Sequence, residues 1–162
     1  MNSSSEMNAN TNIGSDLENY GSESLNKMVQ KLKSTNDERK RYEYILWMAK
    51  KLPPLSQEEL NNEIKVKGCV SEVYVLGTLN SGRMQWKGYS DALITKGLLA
   101  FLIEGLQGLK PEQIIKINPD FIKATGLQTS LTPSRANGFL NIFLAMKSQA
   151  EIHPKTIFDK TF

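Results

Sequence analysis

Val70-Ser71-Glu72-Val73-Tyr74-Val75-Leu76-Gly77-Thr78-Leu79-Asn80-Ser81-Gly82-Arg83-Met84-Gln85-Trp86-Lys87-Gly88-Tyr89 is the stretch that reads as paired strands. Val70 to Leu79 is rich in Val, Tyr and Leu, which fit a pleated surface. Asn80-Ser81-Gly82 supplies a hairpin turn. Arg83 to Tyr89 then alternates, with Met84 and Trp86 facing one way and Arg83, Gln85 and Lys87 the other. That is the pattern of an antiparallel strand with one buried face. An isolated hairpin is marginal in water, so a third strand is expected, and Glu63 to Lys67 is the nearest candidate.

Helical patterns lie on both sides of the hairpin. Downstream, Ser90 is placed to cap a helix from Asp91 to Gln107, with Gly108 as its stop. Leu93, Ile94, Leu98, Leu99, Phe101 and Leu102 make that helix apolar on most sides, as a central core helix is. Pro111 and Pro119 suit the first positions of two short helices, and Gly126 ends the second. Thr132-Pro133 opens a last long helix with Ala136, Phe139, Leu140 and Phe143 on one stripe, and Pro154 is expected to close it. Upstream, Asp37 to Lys51 places Tyr42, Ile45, Leu46, Ala49 and Leu52 on one stripe, with Asn36 as N-cap and Pro53-Pro54 as the stop. Helices around a small antiparallel sheet of about three strands define an α+β fold.

The chain of 162 residues is long enough for one domain with its own core. Residues 1–26 differ in composition from the rest: Asn, Ser and Gly predominate, with Glu6, Asp16, Glu18 and Glu23 and no Lys or Arg. Few apolar groups there could offset the entropy of ordering, so a disordered acidic tail is expected. The domain then covers 27–150, with 151–162 as a C-terminal extension. The tail carries −4 of the net +3, leaving +7 on the remainder.

One Cys and one His exclude an intrachain disulfide framework and any three- or four-ligand Cys/His metal site, so no metal is expected. The most apolar stretch, Ala92 to Leu106, includes Lys96 and Glu104 and falls short of the roughly 20 apolar residues of a membrane span. The N-terminus matches neither a secretory signal nor an Arg-rich transit peptide. A cytoplasmic location is expected, or a plastid or organelle matrix if an upstream transit peptide has been removed. Arg39-Lys40-Arg41 is the only three-residue basic run. With Tyr42 assigned to the core stripe and no nucleic-acid motif in sight, no nucleic-acid partner is expected.

Chemistry therefore concentrates on Cys69, which follows Gly68 and precedes a strand, at the end of a loop rich in Glu and Lys. Lys65 and Lys67 would lower its pKa; the alternative is an inert buried cysteine at a strand start. Arg135 sits in the first turn of the last helix, where the dipole disfavours a cation, so an anionic neighbour is implied. A thiolate, a persulfide, a substrate carboxylate or an ordinary ion pair with Asp or Glu would serve. Asp91 suits the positive end of its helix and is explained by structure alone. His153, beside Pro154, is remote from Cys69 in sequence and is not expected to pair with it.

Five collinear segments resemble one family. Lys67-Gly68-Cys69-Val70-Ser71 is similar to the K-G-C-x-S motif of the SufE sulfur-acceptor proteins. Leu52-Pro53-Pro54 closes the first main helix, and Gly88-Tyr89-Ser90-Asp91-Ala92 fits the G-x-S-D-A element. Lys96-Gly97-Leu98-Leu99-Ala100 follows, and Leu131-Thr132-Pro133-Ser134-Arg135-Ala136-Asn137-Gly138 fits L-T-P-S-R-x-N-G. The resemblance spans about residues 27–150 and implies a fold like that of the IscU-type scaffolds. It implies that Cys69 accepts sulfane sulfur as a persulfide from a SufS-like cysteine desulfurase, stimulates that enzyme and passes sulfur to a SufBCD-like iron–sulfur scaffold complex. Arg135 is then expected near Cys69, as a persulfide stabiliser or in positioning the loop. Lys67, Gly68 and Asp91 are candidates for partner contact by position. No cofactor is expected on this chain, the pyridoxal phosphate belonging to the desulfurase. A shielded thiol that swings out about Gly68 would suit such a carrier. The alternative reading of the residues is a thiol redox sensor or peroxidase-like protein using Cys69.

Overall fold

The computed structural model describes the backbone of residues 18–161 and side chains through residue 153. In chain order it contains α1 (Glu23–Lys33), α2 (Glu38–Met48) running into a 3-10 turn at Ala49–Lys51, and a second 3-10 turn at Asn62–Ile64. The hairpin β1 (Val73–Asn80) and β2 (Arg83–Ser90) follows, then α3 (Leu93–Leu106), α4 (Pro111–Ile115), α5 (Phe121–Ala124), a 3-10 turn at Leu127–Thr129, and α6 (Pro133–Thr161).

The strands pair antiparallel from Val73 opposite Ser90 to Asn80 opposite Arg83. Ser81 and Gly82 both have positive φ, 53° and 79°, the two-residue turn whose twist matches the strands. Val73, Val75, Met84 and Trp86 fill the inner face. Helix α3 packs on β2 and α6 on β1, while α1 and α2 cover other sides of α3. As its composition predicts, α3 is the core helix, with Leu98 to Ile103 all buried. A Cβ at Gly97 would lie 2.0 Å from the Ile45 carbonyl oxygen. Helices α2 and α3 thus meet backbone to backbone at that glycine.

The sheet has two strands, not about three. The candidate segment 63–67 begins as a 3-10 turn, because the Asn61 side chain accepts from the Glu63 amide (2.8 Å). What remains is one bridge between Lys65 and Tyr74, with the Val66 amide donating to the Val73 carbonyl at 2.8 Å. Side chains and a loop satisfy the outer edges instead. On β1, Gln149 of α6 accepts from the Gly77 amide and donates to the Val75 carbonyl, both at 2.8 Å. His153 Nε2 lies 3.0 Å from the Gly77 carbonyl oxygen, and since a carbonyl only accepts, that nitrogen carries the proton. On β2, Gln107 accepts from the Trp86 amide (2.7 Å) and donates to its carbonyl (3.3 Å), and the Pro53 carbonyl accepts from the Gly88 amide (3.0 Å). A carboxamide offers one acceptor and an NH2 donor, so it imitates one residue of a missing strand.

Several boundaries also move. Asp37, not Asn36, caps α2, accepting from the Arg39 amide (2.9 Å). The buried stripe of that segment is Ile45, Met48, Ala49 and Leu52, and Tyr42 is 37% exposed, outside the core. Helix α3 starts two residues after Asp91, because Ser90 Oγ accepts from the Ala92 amide (3.3 Å) and holds residues 90–92 outside the helix. Pro154 does not end α6, which continues past it. The expected tail boundary at residue 26 falls inside α1. Ser22 caps that helix, its hydroxyl reaching the Gly105 carbonyl at 2.6 Å, and Leu25 is fully buried. Residues 1–17 of the expected tail and residue 162 lie outside the described residues.

Candidate functional site

Cys69 lies between two anchors. On one side the Val66 amide is tied to Val73. On the other, Asp91 Oδ1 accepts from the Glu72 amide at 3.0 Å, and the Glu72 carbonyl accepts from the Asp91 amide at 3.3 Å. Residues 67–71 bulge between them, and the segment from Lys65 to Glu72 lines a surface concavity of about 400 Å³.

Gly68 shapes the bulge. Its φ is +80°, and a Cβ there would come within 2.7 Å of the Asn141 amide nitrogen, so space and backbone both select glycine. Asn141 Nδ2 donates to the Gly68 carbonyl at 2.9 Å. Beyond this turn Cys69 points inward, half-buried against the edge of the core. Its Sγ is 3.9 Å from the Gly138 carbonyl oxygen, a weak sulfur contact. Val70 points the other way and is 75% exposed.

Arg135 stands over the end of the bulge. Its Nη1 donates to the hydroxyl of Ser71 and, at 2.5 Å, to that of Thr95 on α3. Thr95 is buried, and its Oγ1 lies 3.4 Å from Ser71 Oγ. Among the described residues no carboxylate ion-pairs with Arg135, so the ion-pair alternative does not hold. Its cation is spent on hydroxyls that tie the loop to α3.

Burial pushes the Cys69 thiol above its ordinary pKa, because removing a thiolate from water is costly. The expected lowering by the flanking lysines is absent. Lys65 reaches towards Glu72 instead (3.9 Å), and Lys67 is exposed. In this position the sulfur is a shielded, protonated thiol and a poor nucleophile. Asp91 buttresses Glu72, and His153 is engaged at the edge of β1. Sequence reasoning misses Asn141 and Thr95. Asn141 continues a three-residue spacing from Arg135 through Gly138, which puts all three on one face of α6. Thr95, between Ile94 and Lys96, leaves no signal of its own.

Fold and site together define a small α+β protein carrying one sheltered thiol on a glycine-turned loop, with no metal-binding cluster among the described residues. No helix among them is long and apolar enough to cross a membrane. The family model described as "SufE: Fe-S metabolism associated domain" matches residues 26–150, and the chain belongs to the SufE family. It is 52% identical over 126 residues to an uncharacterized SufE-like protein of Synechocystis sp., covering 78% of this chain and 79% of that one. It is 40% identical to the cysteine desulfuration protein SufE of Plasmodium vivax, over 76% of this chain and 51% of the relative. It is 39% identical to SufE-like protein 1, chloroplastic/mitochondrial, of Arabidopsis thaliana, over 78% of this chain but 34% of the relative. The chain thus spans about half and a third of the length of those two. A solution structure of a hypothetical protein from Thermus thermophilus superposes with a TM-score of 0.69 at 26% identity, covering 80% of this chain and 95% of that one.

Proposed function

We propose that this chain is a single-thiol sulfur carrier. Cys69 takes sulfane sulfur from a cysteine desulfurase, stimulates that enzyme by relieving it of its persulfide, and hands the sulfur on for iron–sulfur cluster assembly. The observation that carries the reading is the seating of the only cysteine, half-buried against Gly138 on a bulge turned by Gly68. A carrier needs a thiol that is quiet when alone and reactive when a partner draws it out.

The chemistry is exchange at sulfur. Drawn into water, the Cys69 thiol loses the burial penalty and releases its proton more readily. The thiolate attacks the outer sulfur of the desulfurase persulfide. A new S–S bond forms at Cys69, the old one breaks, and the electron pair leaves on the desulfurase cysteine. Sulfane sulfur moves with no external oxidant or reductant. With no second cysteine in the chain, the Cys69 persulfide persists until an acceptor thiol, such as one on a SufBCD-like scaffold complex, repeats the attack. Arg135 holds Ser71 to Thr95 while the loop is seated and offers a cation to the persulfide once it is released. The chain needs no cofactor of its own; the pyridoxal phosphate is the desulfurase's.

The test is to incubate the protein with a cysteine desulfurase and free cysteine and to weigh the chain. One added sulfur on Cys69, with faster desulfurase turnover, is the expected result. Consumption of peroxide with an external thiol, and no sulfur gain, would assign Cys69 to redox chemistry instead.

A further inference from the structure

Trp47 on α2 is 45% exposed, and Leu93 at the start of α3 is 60% exposed. Together with Leu46 and Ala49 they line a groove of about 380 Å³ between the two helices. Its surroundings are cationic. The Lys51 ammonium lies 4.2 Å from the Trp47 ring centre, and that of Lys31 lies 6.0 Å from it and 4.8 Å from the Tyr44 ring. Lys50 and Lys96 line the groove itself. Among the described residues none of these four lysines forms an ion pair; Glu43, in the groove, is held by Arg39 at 3.2 Å, and Glu104 shares the adjoining hollow with Lys27, Lys31 and Lys51, leaving the cations in excess.

Attraction to the ring faces lets these ammonium groups lie over apolar surface. Such a surface attracts a carboxylate and offers an apolar side chain a place beside it. It also adjoins the thiol site. Thr95, which holds Arg135 and through it Ser71, sits on α3 between Leu93 and Lys96. Leu93, in the groove, lies two residues beyond Asp91, whose carboxylate accepts from the Glu72 amide at the end of the Cys69 loop. A protein docked over the Cys69 loop therefore meets the Leu93 end of the groove.

We propose that this groove is a second docking point for the cysteine desulfurase, seating a segment of that enzyme that carries an apolar side chain flanked by carboxylates. The partner's identity rests on the sulfur-transfer reading, while the surface itself is read from charge and exposure. The groove anchors the partner and the Cys69 loop does the chemistry. Attraction between these charges weakens as salt screens them.

Binding of the desulfurase is measured by calorimetry with a chain carrying Cys69→Ser, so that no chemistry contributes. Trp47→Ala and, separately, Lys31→Glu with Lys51→Glu are added to it. Each is expected to raise the dissociation constant about tenfold, as loss of a central aromatic or charged anchor does. The lysine variant is also expected to flatten the salt dependence. All three sites lie on the surface; should Trp47→Ala not fold, the lysine pair decides. Unchanged affinity in both variants overturns the proposal. So does self-association of the unmodified chain that Trp47→Ala abolishes, since the groove would then serve a second copy. Failure of the sulfur-transfer reading is seen elsewhere, as absence of sulfur on Cys69, and leaves the binding result to be judged by itself.

Discussion

The two flanks of Val73 are held in opposite ways. Downstream of it, outward-facing backbone groups along the hairpin find close partners: Gln149 and His153 on β1, and Gln107 and Pro53 on β2. Upstream, residues 67–71 are tied to the helices by Asn141, by Arg135 and by a 3.9 Å sulfur contact. The first region closes a sheet that is too small to be stable by itself. The second hangs on a few side chains: an exposed Asn141 bond, a weak sulfur contact and the Arg135 bond to Ser71. Rigidity and release are thus assigned to adjacent parts of one segment, and α6 supplies side chains to both.

The sharpest test of this division removes the sulfur. Cys69→Ser is expected to abolish sulfur loading and desulfurase stimulation, while the thermal midpoint stays within about 2 °C of the parent, as expected for a near-isosteric change at a half-buried site. Persistent stimulation would end the carrier reading. Next in size is the rigid flank. Gln149→Ala strips partners from Gly77 and Val75 and is expected to cost about 1–3 kcal/mol in denaturant unfolding. The alkylation rate of native Cys69 should stay as it is; a parallel rise would mean that the two flanks are one unit.

The releasable flank should respond the other way. Asn141→Ala frees the Gly68 carbonyl and is expected to speed Cys69 alkylation about fivefold, the population shift of a contact worth about 1 kcal/mol. Global stability should fall by less than it does for Gln149→Ala. The smallest effect is on pH. Burial raises the seated thiol's pKa, so the seated loop gains stability while the thiol is neutral. That gain is complete below the ordinary thiol pKa and disappears as pH rises through the seated value. The alkylation profile of the native protein should therefore lie to higher pH than that of the denatured chain, and Asn141→Ala should bring it part of the way back. Coincident native and denatured profiles would show that the thiol is not shielded.

Much of this organisation is legible in residue order. The hairpin, its Ser81-Gly82 turn and the all-round apolar α3 follow from local pattern, and such patterns survive folding because they report burial directly. The third strand fails for a reason no period could reveal. Whether an edge needs another strand depends on what else reaches it, and here two glutamines distant in sequence do so. Tyr42 leaves the expected stripe because α2 presents Met48 to the core, a rotation too small to settle from eleven residues. At the site, Cys69, Gly68 and Arg135 stand out as a lone thiol, a neighbouring glycine and a cation at the wrong end of a helix. The expected effect of Lys65 and Lys67 on the thiol is wrong in sign, because nearness in sequence says nothing about which way a side chain turns. Thr95 acts through a tertiary contact that nothing in the sequence marks, and Asn141 shows only in its helical spacing from Gly138 and Arg135.

The anchors at Val66 and Glu72 leave Cys69 three residues from each, at the apex of the arc. Three extended residues span at most about 10–11 Å, so that length is the tether of the thiol. If Cys69 carries sulfur as proposed, so short a tether calls for donor and acceptor to dock in turn, one leaving before the next arrives. In the proposed carrier, loading and unloading are then separate encounters, and between them the sulfur travels with the whole protein.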